Sequence, residues 1–169
     1  MRRSVLIMPG THSKWVQVRD GRVDTFATYI TGELYTLLRQ HSVLGRLMQP
    51  VEAFDAGAFD EGVRFAAQGE PGALQRNLFS VRTRGLFGDI AREALADYLS
   101  GILIGDEIAS ALRQVADDET LALIGDHTLC ELYGRALMAC GRAPAILAGN
   151  TAALGLWHQA VRGGWIARD

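Results

Sequence analysis

The sequence has few of the residues that mark secreted, disulfide-bonded proteins. It contains two cysteines in 169 residues, Cys130 and Cys140, and both lie in a segment with helical spacing. Ten residues of helix span about 15 Å at about 1.5 Å per residue, whereas the Cα atoms joined by a disulfide lie within about 7 Å of each other. The two cysteines are therefore predicted to be separate, reduced thiols.

Charge of one sign and long apolar runs are also scarce. The net charge is −2 and charged residues make up 21% of the chain, so there is no basic field of the kind that binds nucleic acid without sequence preference. The chain has no apolar run of about 18 residues and no charged start followed by an apolar signal segment. We expect a cytoplasmic protein that binds small molecules or other proteins, and neither nucleic acid nor a membrane.

The motifs of two common site classes are missing as well. The four histidines form no His-x-x-x-His pair and the cysteines form no Cys-x-x-Cys pair, so the sequence predicts no metal site. The Gly-x-Ser-x-Gly turn of the α/β hydrolases does not occur either. Neither a zinc centre nor a serine hydrolase is therefore expected.

What the sequence does contain is the pattern of a single α/β domain over residues 1–169. Hydrophobic residues make up 49% of the chain, enough for one core at this length. Short apolar runs predict strands at Ser4–Met8, Trp15–Arg19 and Arg22–Ile30. The last two are joined by Asp20-Gly21, a pair typical of two-residue hairpins. The chain is predicted to open with an antiparallel meander.

Helical spacing dominates the middle of the chain. A helix is predicted to start at Thr31, a residue type that caps helices, and two weaker helices follow between residues 51 and 88. The strongest periodicity runs from Ile90 to Val115 and predicts a long core helix. Gly101 and Gly105 within it are expected to allow close approach by a neighbouring element, with a hinge as the alternative.

Two strand-turn-helix units end the chain. The predicted strands are Glu119–Ile124 and Pro144–Ala148. Thr128 and Glu131 are predicted to form a capping box for the helix between them. The complete predicted order is β-β-β-α-β-α-β-α.

The most informative stretch is residues 8–15, Met-Pro-Gly-Thr-His-Ser-Lys-Trp, between the first two strands. A glycine-containing turn at this place leaves backbone N–H groups free to bind an anion. We predict a phosphate site made by Gly10, Thr11, His12 and Lys14, in which the lysine supplies a point charge and the threonine a hydroxyl donor. An ordinary hairpin with Lys14 in solvent is the alternative that the spacing leaves open.

A second candidate site follows the later strands. Ligands of open α/β sheets bind beyond the carboxyl ends of the strands, where Gly125 and Gly149 are predicted to lie. The carboxylate of Asp126 would repel a triphosphate, so ribose or adenine fits this turn better. A capped helix whose polar turn faces water is the alternative.

The third candidate is Thr31, Gly32 and Glu33, which either line a cleft or only cap a helix. An acidic residue in the first turn of a helix is favoured by the helix dipole whatever its function, so Glu33 alone does not decide between the two. The acidic pair Asp106 and Glu107 is predicted to lie on the polar face of the long helix or to contact another domain.

Four blocks of the sequence, in the same order, resemble the C-terminal half of the 2-dehydro-3-deoxygalactonokinases. They are residues 8–15, Tyr29–Leu34, Leu99–Glu107 and Ala148–Ala152. The resemblance extends from about Ser4 to about Ala160, and its first block is the most specific. It implies a ribonuclease H-like domain of the sugar kinase, Hsp70 and actin superfamily, with a mixed sheet and helices on both faces.

The resemblance also implies roles for the three candidate sites. ATP and Mg²⁺ would be the cofactors, and a 2-keto-3-deoxy sugar acid the substrate. The implied roles are phosphate binding by Gly10, Thr11, His12 and Lys14, cleft or sugar contacts by Thr31, Gly32 and Glu33, and adenosine binding by Gly125, Asp126, His127, Gly149 and Asn150.

Members of that family begin with a strand and an Asp-x-Gly-Ser/Thr turn, which forms their first phosphate loop, and this sequence has no such turn. We therefore expect half of a kinase, inactive alone, whose catalytic base lies in an N-terminal half. It would pair with that half or with itself. A non-catalytic interaction or nucleotide-binding module is one alternative, and a small unrelated enzyme that uses His12 and Lys14 is another.

Overall fold

Three strands open the chain, and helices then alternate with two further strands. The computed structural model describes residues 3–50, 53–149 and 151–166. The strands are β1 (Arg3–Met8), β2 (Ser13–Arg19), β3 (Arg22–Tyr29), β4 (Thr120–Ile124) and β5 (Ile146–Ala148). The helices are α1 (Thr31–His41), α2 (Ala56–Ala67), α3 (Leu74–Phe87), α4 (Leu95–Leu112), α5 (His127–Ala139) and α6 (Ala152–Arg162), with a 3₁₀ turn at Gly45–Leu47.

The five strands form one mixed sheet in the order β3-β2-β1-β4-β5. β2 pairs antiparallel with both β1 and β3, whereas β1, β4 and β5 are parallel. The predicted α/β class and element order are confirmed, with α1 to α4 together filling the first helical position. Asp20 and Gly21 both have positive φ, 50° and 78°, as a type I′ hairpin turn requires.

The strand directions bring the ends of β1, β3, β4 and β5 to the same edge of the sheet. We call this the C-terminal edge. It carries the turn Pro9–His12, the start of α1 at Thr31–Glu33, the turn Gly125–Asp126 and Gly149. All three predicted sites therefore lie at one edge, although they are far apart in sequence.

Helix α4 is the centre of the core. It is apolar around most of its circumference, as expected of a helix buried on all sides. Its residues Ile104 and Ile108 pack with Val5 and Ile7 of β1, while other positions of α4 belong to a second cluster with α2 and α3. One helix therefore joins the sheet to the helical layer beyond it.

Glycines bring α2 and α4 into backbone contact. A Cβ on Gly101 would overlap the carbonyl group of Phe59, and one on Gly105 would lie 2.7 Å from the carbonyl oxygen of Val63. Gly62 of α2 meets the backbone of α4 just as closely. The prediction that Gly101 and Gly105 allow close approach by a neighbouring element is confirmed.

The starts of α4 and α1 differ from the predictions. α4 begins at Leu95 rather than at Ile90. Ile90 and Ala94 are buried in the segment before the helix, so the apolar spacing in the sequence extends beyond the helix itself. Thr31 is the first residue of α1 and does not cap it, since its hydroxyl donates to the carboxylate of Glu107. No helix among the described residues is long and apolar enough to cross a membrane.

Replacement of Gly101 by alanine tests the contact between α2 and α4. The added methyl group has no space, so Gly101→Ala should lower the free energy of unfolding by about 1–3 kcal/mol, despite the better helix propensity of alanine. Gly155→Ala is the matched control because nothing lies within 4 Å of that position in α6, and it should be neutral or stabilising by up to about 1 kcal/mol. Urea unfolding measures both. Equal stability of the two variants would contradict the contact.

Candidate functional site

The turn between β1 and β2 forms the middle of the C-terminal edge. Thr11 and His12 are exposed and Lys14 is half-buried. The ammonium group of Lys14, the single lysine of the chain, donates to the carbonyl oxygen of His12 at 2.6 Å. A Cβ on Gly10 would meet nothing within 4 Å. The turn is therefore open on one side and carries a fixed positive charge.

The start of α1 packs directly on this turn. A Cβ on Gly32 would lie 2.6 Å from the carbonyl oxygen of Gly10, so only glycine allows this approach. The backbone N–H of Glu33 donates to the carbonyl oxygen of Thr11 at 3.0 Å, and its carboxylate lies 2.5 Å from Nε2 of His12. The first and third predicted sites, which the sequence treats as separate, thus form one unit.

Glu107 lies beneath that unit and is only 2% exposed. Its carboxylate accepts hydrogen bonds from the indole N–H of Trp15 at 2.8 Å, from the hydroxyl of Tyr133 at 2.7 Å, and from the hydroxyl of Thr31. The prediction that Glu107 lies on a polar face or contacts another domain is wrong. Its partners come from three distant parts of the chain, so no local pattern shows them.

One local signal could have indicated that Glu107 is buried. It lies three residues after Ile104 and four before Ala111, and both of these positions are buried in the core. A carboxylate at this spacing faces the same side as its apolar neighbours. Such a group must find hydrogen-bond donors inside the protein.

Burial also changes the acidity of two side chains beside this unit. It raises the pKa of Tyr133, and the carboxylate of Glu107 adds to the rise, so the hydroxyl remains a donor at physiological pH. Burial likewise raises the pKa of Asp97, whose carboxylate accepts from the backbone N–H of Asp55 at 2.8 Å.

A cleft of about 200 Å³ opens between α1, α4 and α5. We call it the inner cleft. Gly10, Thr31 and Gly32 lie at the turn side, and Asp97 and Ser100 supply further polar groups. Most of its wall is apolar and comes from Tyr35, Phe54, Leu103, Ile104, Leu129, Leu132 and Tyr133. None of its lining residues is a cation, so the inner cleft suits an uncharged group.

A second depression of about 150 Å³ lies at the ends of β4 and β5. We call it the outer groove. It brings together Gly125, His127 and Gly149, three of the five residues predicted to bind adenosine. Gly125 has a φ of 152°, and its ideal Cβ position is 3.7 Å from the carbonyl oxygen of Pro9, so the outer groove adjoins the β1–β2 turn. Asn150 lies outside the described residues.

Asp126 and His127 begin α5. The carboxylate of Asp126 accepts from the backbone N–H of Leu129 at 3.1 Å, as a helix N-cap does. His127 lies 3.4 Å from the carboxylate of Glu131. The predicted capping box of Thr128 and Glu131 is wrong, because the helix starts two residues earlier than that pattern requires and Asp126 occupies the cap.

The cap can be tested by two single substitutions. Asp126→Ala removes the side-chain acceptor that caps the start of α5 and should lower the free energy of unfolding by about 1 kcal/mol. Thr128→Ala should change it by less than about 0.5 kcal/mol. Thermal unfolding followed by circular dichroism gives both values. A larger loss of unfolding free energy in Thr128→Ala than in Asp126→Ala would support the capping box of Thr128 and Glu131 instead.

Metal-binding potential is low in the part of the chain that the structure describes. Within residues 3–50, 53–149 and 151–166 no three or more His, Cys, Asp or Glu side chains come together as metal ligands would. The histidine and carboxylate at the turn form a pair only. The described residues do not by themselves build a cage for a divalent cation.

Comparison with known proteins gives consistent matches over nearly the whole chain. The family model of 2-keto-3-deoxy-galactonokinase matches residues 1–159. The 2-dehydro-3-deoxygalactonokinase of Escherichia coli (strain K12) is 38% identical over 149 residues, which are 88% of this chain and 50% of that protein. A probable 2-dehydro-3-deoxygalactonokinase of Rhizobium meliloti (strain 1021) is 40% identical over 140 residues, 81% of this chain and 45% of that protein.

A solved structure agrees with these matches. The crystal structure of a Sinorhizobium meliloti protein assigned as a 2-dehydro-3-deoxygalactonokinase superposes with a TM-score of 0.85 at 34% identity. The superposition covers 98% of this chain and 56% of that one. This chain thus spans about half the length of the curated relatives that it matches.

Proposed function

The chain belongs to the 2-keto-3-deoxy-galactonokinase family, and we propose that it is the nucleotide-binding half of such a sugar kinase. The complete enzyme would transfer the γ-phosphate of ATP to 2-dehydro-3-deoxygalactonate in the cytoplasm. The observation that carries the proposal is the meeting of the β1–β2 turn with the outer groove at the C-terminal edge. The turn that would bind phosphate and the glycine-lined groove that would bind the nucleoside then adjoin each other, and we propose that both belong to one domain, residues 1–169.

The β1–β2 turn would hold the phosphates of the nucleotide. Phosphoryl transfer depends mainly on positioning and on stabilisation of charge. The ammonium group of Lys14 supplies a positive charge, and the open side of Gly10 lets phosphate oxygens approach the backbone N–H groups. Thr11 and His12 are exposed beside them, and the hydroxyl of Thr11 would add a donor.

The outer groove would hold the adenosine part. Its glycines, Gly125 and Gly149, leave the backbone open to the approach of a flat ring. Asp126 already uses its carboxylate as the helix cap, which keeps phosphate away from this end. We include Asn150 in this site from its place after β5.

The start of α1 would face the acceptor sugar. Glu33 is hydrogen-bonded to His12, and its carboxylate can accept a hydrogen bond from a sugar hydroxyl. The hydroxyl of Thr31 already donates to Glu107, so Thr31 would line the cleft without a hydrogen bond to the sugar. The inner cleft lacks a cation and includes Asp97, so the carboxylate of the sugar acid does not fit there. That carboxylate would be bound by the other half of the enzyme.

The remaining catalytic parts would also come from another half. The curated relatives extend over about twice the matched length, which leaves room for a first phosphate loop and a catalytic base. The described residues do not fit a resident metal site, so Mg²⁺ would be held by the phosphates of ATP and by groups of that half.

An interaction module derived from such a kinase is the second candidate, and α6 favours it. None of the residues of α6 is buried, and Leu156 and Trp157 are 66% and 42% exposed. Large apolar side chains that are exposed on one helix favour a surface on which another protein packs. The other half of a kinase and a second copy of this chain would both satisfy it.

Substitution of Lys14 tests the phosphate site. Lys14→Ala and Thr11→Ala should each weaken MgADP binding by about 1–3 kcal/mol, the scale of a lost charge-assisted hydrogen bond, without unfolding the domain. Isothermal calorimetry measures the affinities. Arg22→Ala is the matched control, because it removes an exposed positive charge at the opposite edge of the sheet.

The single lysine offers an independent readout. Bound MgADP should protect the ε-amine of Lys14 from acetylation, which mass spectrometry of the peptide detects. Absence of both binding at millimolar MgADP and protection of Lys14 would contradict nucleotide binding and favour the interaction module.

The isolated chain is expected to release no ADP from MgATP with 2-dehydro-3-deoxygalactonate, because we assign the first phosphate loop and the catalytic base to the other half. It should associate instead, either with itself or with the part of the Escherichia coli relative that this chain does not match. Each 100 Å² of apolar surface hidden is worth about 2.5 kcal/mol, against a cost of association of roughly 4–15 kcal/mol. Coupled ADP assays and light scattering at micromolar concentration measure the two properties.

Two results would count against this assignment. Turnover by the chain alone within the usual range of about 1–1,000 per second would show a complete enzyme. A monomer whose mass does not change when the unmatched part of the relative is added would show that neither pairing occurs.

A further inference from the structure

Glu107 is an unusual core residue because it is acidic and has no cationic partner. It is 2% exposed, and none of the arginines within the described ranges, nor Lys14, forms an ion pair with it. Burial of a carboxylate is costly unless hydrogen bonds compensate for the lost water. Three side-chain donors do so here, from Trp15, Thr31 and Tyr133.

Each donor belongs to a different wall of the site. Trp15 directly follows Lys14 on β2, and Thr31 directly precedes Gly32 at the start of α1. Tyr133 lines the inner cleft from α5. Hydrogen bonds to a single carboxylate on α4 therefore connect three parts of the site to the core helix. These parts are the strand that follows the turn, the start of α1 and the wall of the inner cleft.

The direct polar contacts between the β1–β2 turn and α1 are less protected from water than the hydrogen bonds to Glu107. The pair of His12 and Glu33 is about half exposed on both sides, and it is joined by the backbone hydrogen bond from Glu33 to Thr11 and the close backbone contact of Gly32 with Gly10. Exposed polar contacts of this kind contribute little stability by themselves. The buried hydrogen bonds from Trp15 and Thr31 to Glu107 add a stronger constraint on the register of the two segments from below.

We propose that Glu107 is a positioning residue of the phosphate site. It does not touch the ligand; it holds the β1–β2 turn and the start of α1 in the register that an anion needs. This inference rests on the proposed nucleotide function, but the positional part can be measured without nucleotide.

Two variants separate the carboxylate from the packing that surrounds it. Glu107→Leu leaves three buried donors without an acceptor. Glu107→Gln keeps one oxygen for the indole N–H of Trp15 but turns an NH₂ group toward the hydroxyls of Thr31 and Tyr133. Ile108→Ala is the matched control, since Ile108 is fully buried on the same helix and in the same core cluster and does not contact these three donors by hydrogen bonds.

The first arm uses the protein without ligand. The amide of Glu33 and the indole N–H of Trp15 are followed by NMR hydrogen exchange, and each rate is corrected for the change in global stability. Local exchange of both groups should accelerate at least tenfold in Glu107→Leu and about threefold in Glu107→Gln. In Ile108→Ala it should stay within twofold of the parent.

The second arm measures MgADP affinity by calorimetry at a temperature where every variant is folded. Affinity should fall at least tenfold in Glu107→Leu and threefold or more in Glu107→Gln, but less than twofold in Ile108→Ala. If Glu107→Leu does not fold, the glutamine variant decides the test, because it keeps the shape and size of the side chain.

Equal exchange rates and affinities in the Glu107 variants and Ile108→Ala would overturn the inference and leave Glu107 as an ordinary core residue. A parent chain that binds no MgADP would instead contradict the proposed function. In that case the exchange rates alone still show whether Glu107 sets the register, so the two failures are distinguishable.

Discussion

The structure depends on the packing of α4 between the sheet and the helical layer. Gly101 and Gly105 allow α2 to lie against its backbone, and Ile104 and Ile108 pack against Val5 and Ile7 of the sheet. Glu107 is part of the same helix, so the element that holds the two layers together also reaches the C-terminal edge. Stability of the core and geometry of the site are therefore linked through one helix.

Much of the fold could be predicted from local signals. Alternation of apolar residues predicted β1 to β3, and Asp20-Gly21 predicted the hairpin because both positions need positive φ. The close approach at Gly101 and Gly105 followed from their spacing on one helical face. The placement of the three candidate sites at one edge follows from the strand directions, which the predicted order of elements implies.

The unpredicted features all depend on contacts between distant residues. The local sequence around Glu107 predicts an acidic residue on the surface. Only the folded structure brings Trp15, Thr31 and Tyr133 within hydrogen-bond distance of its carboxylate. Thr31 was expected to cap α1, but its hydroxyl has a stronger acceptor in that carboxylate. The β1–β2 turn and Glu33 likewise form one unit because Gly32 packs on the backbone of Gly10, which is 22 positions earlier in the sequence.

We propose that the C-terminal edge of this chain binds a nucleotide. The most direct measurement is a titration of the ¹⁵N-labelled chain with MgADP, followed by the shifts of its backbone amide resonances. Saturable shifts are expected at residues 10–14, 125–127 and 149, with none at the Asp20-Gly21 hairpin on the opposite edge. Shifts confined to other surfaces, or no shifts at millimolar MgADP, would contradict it.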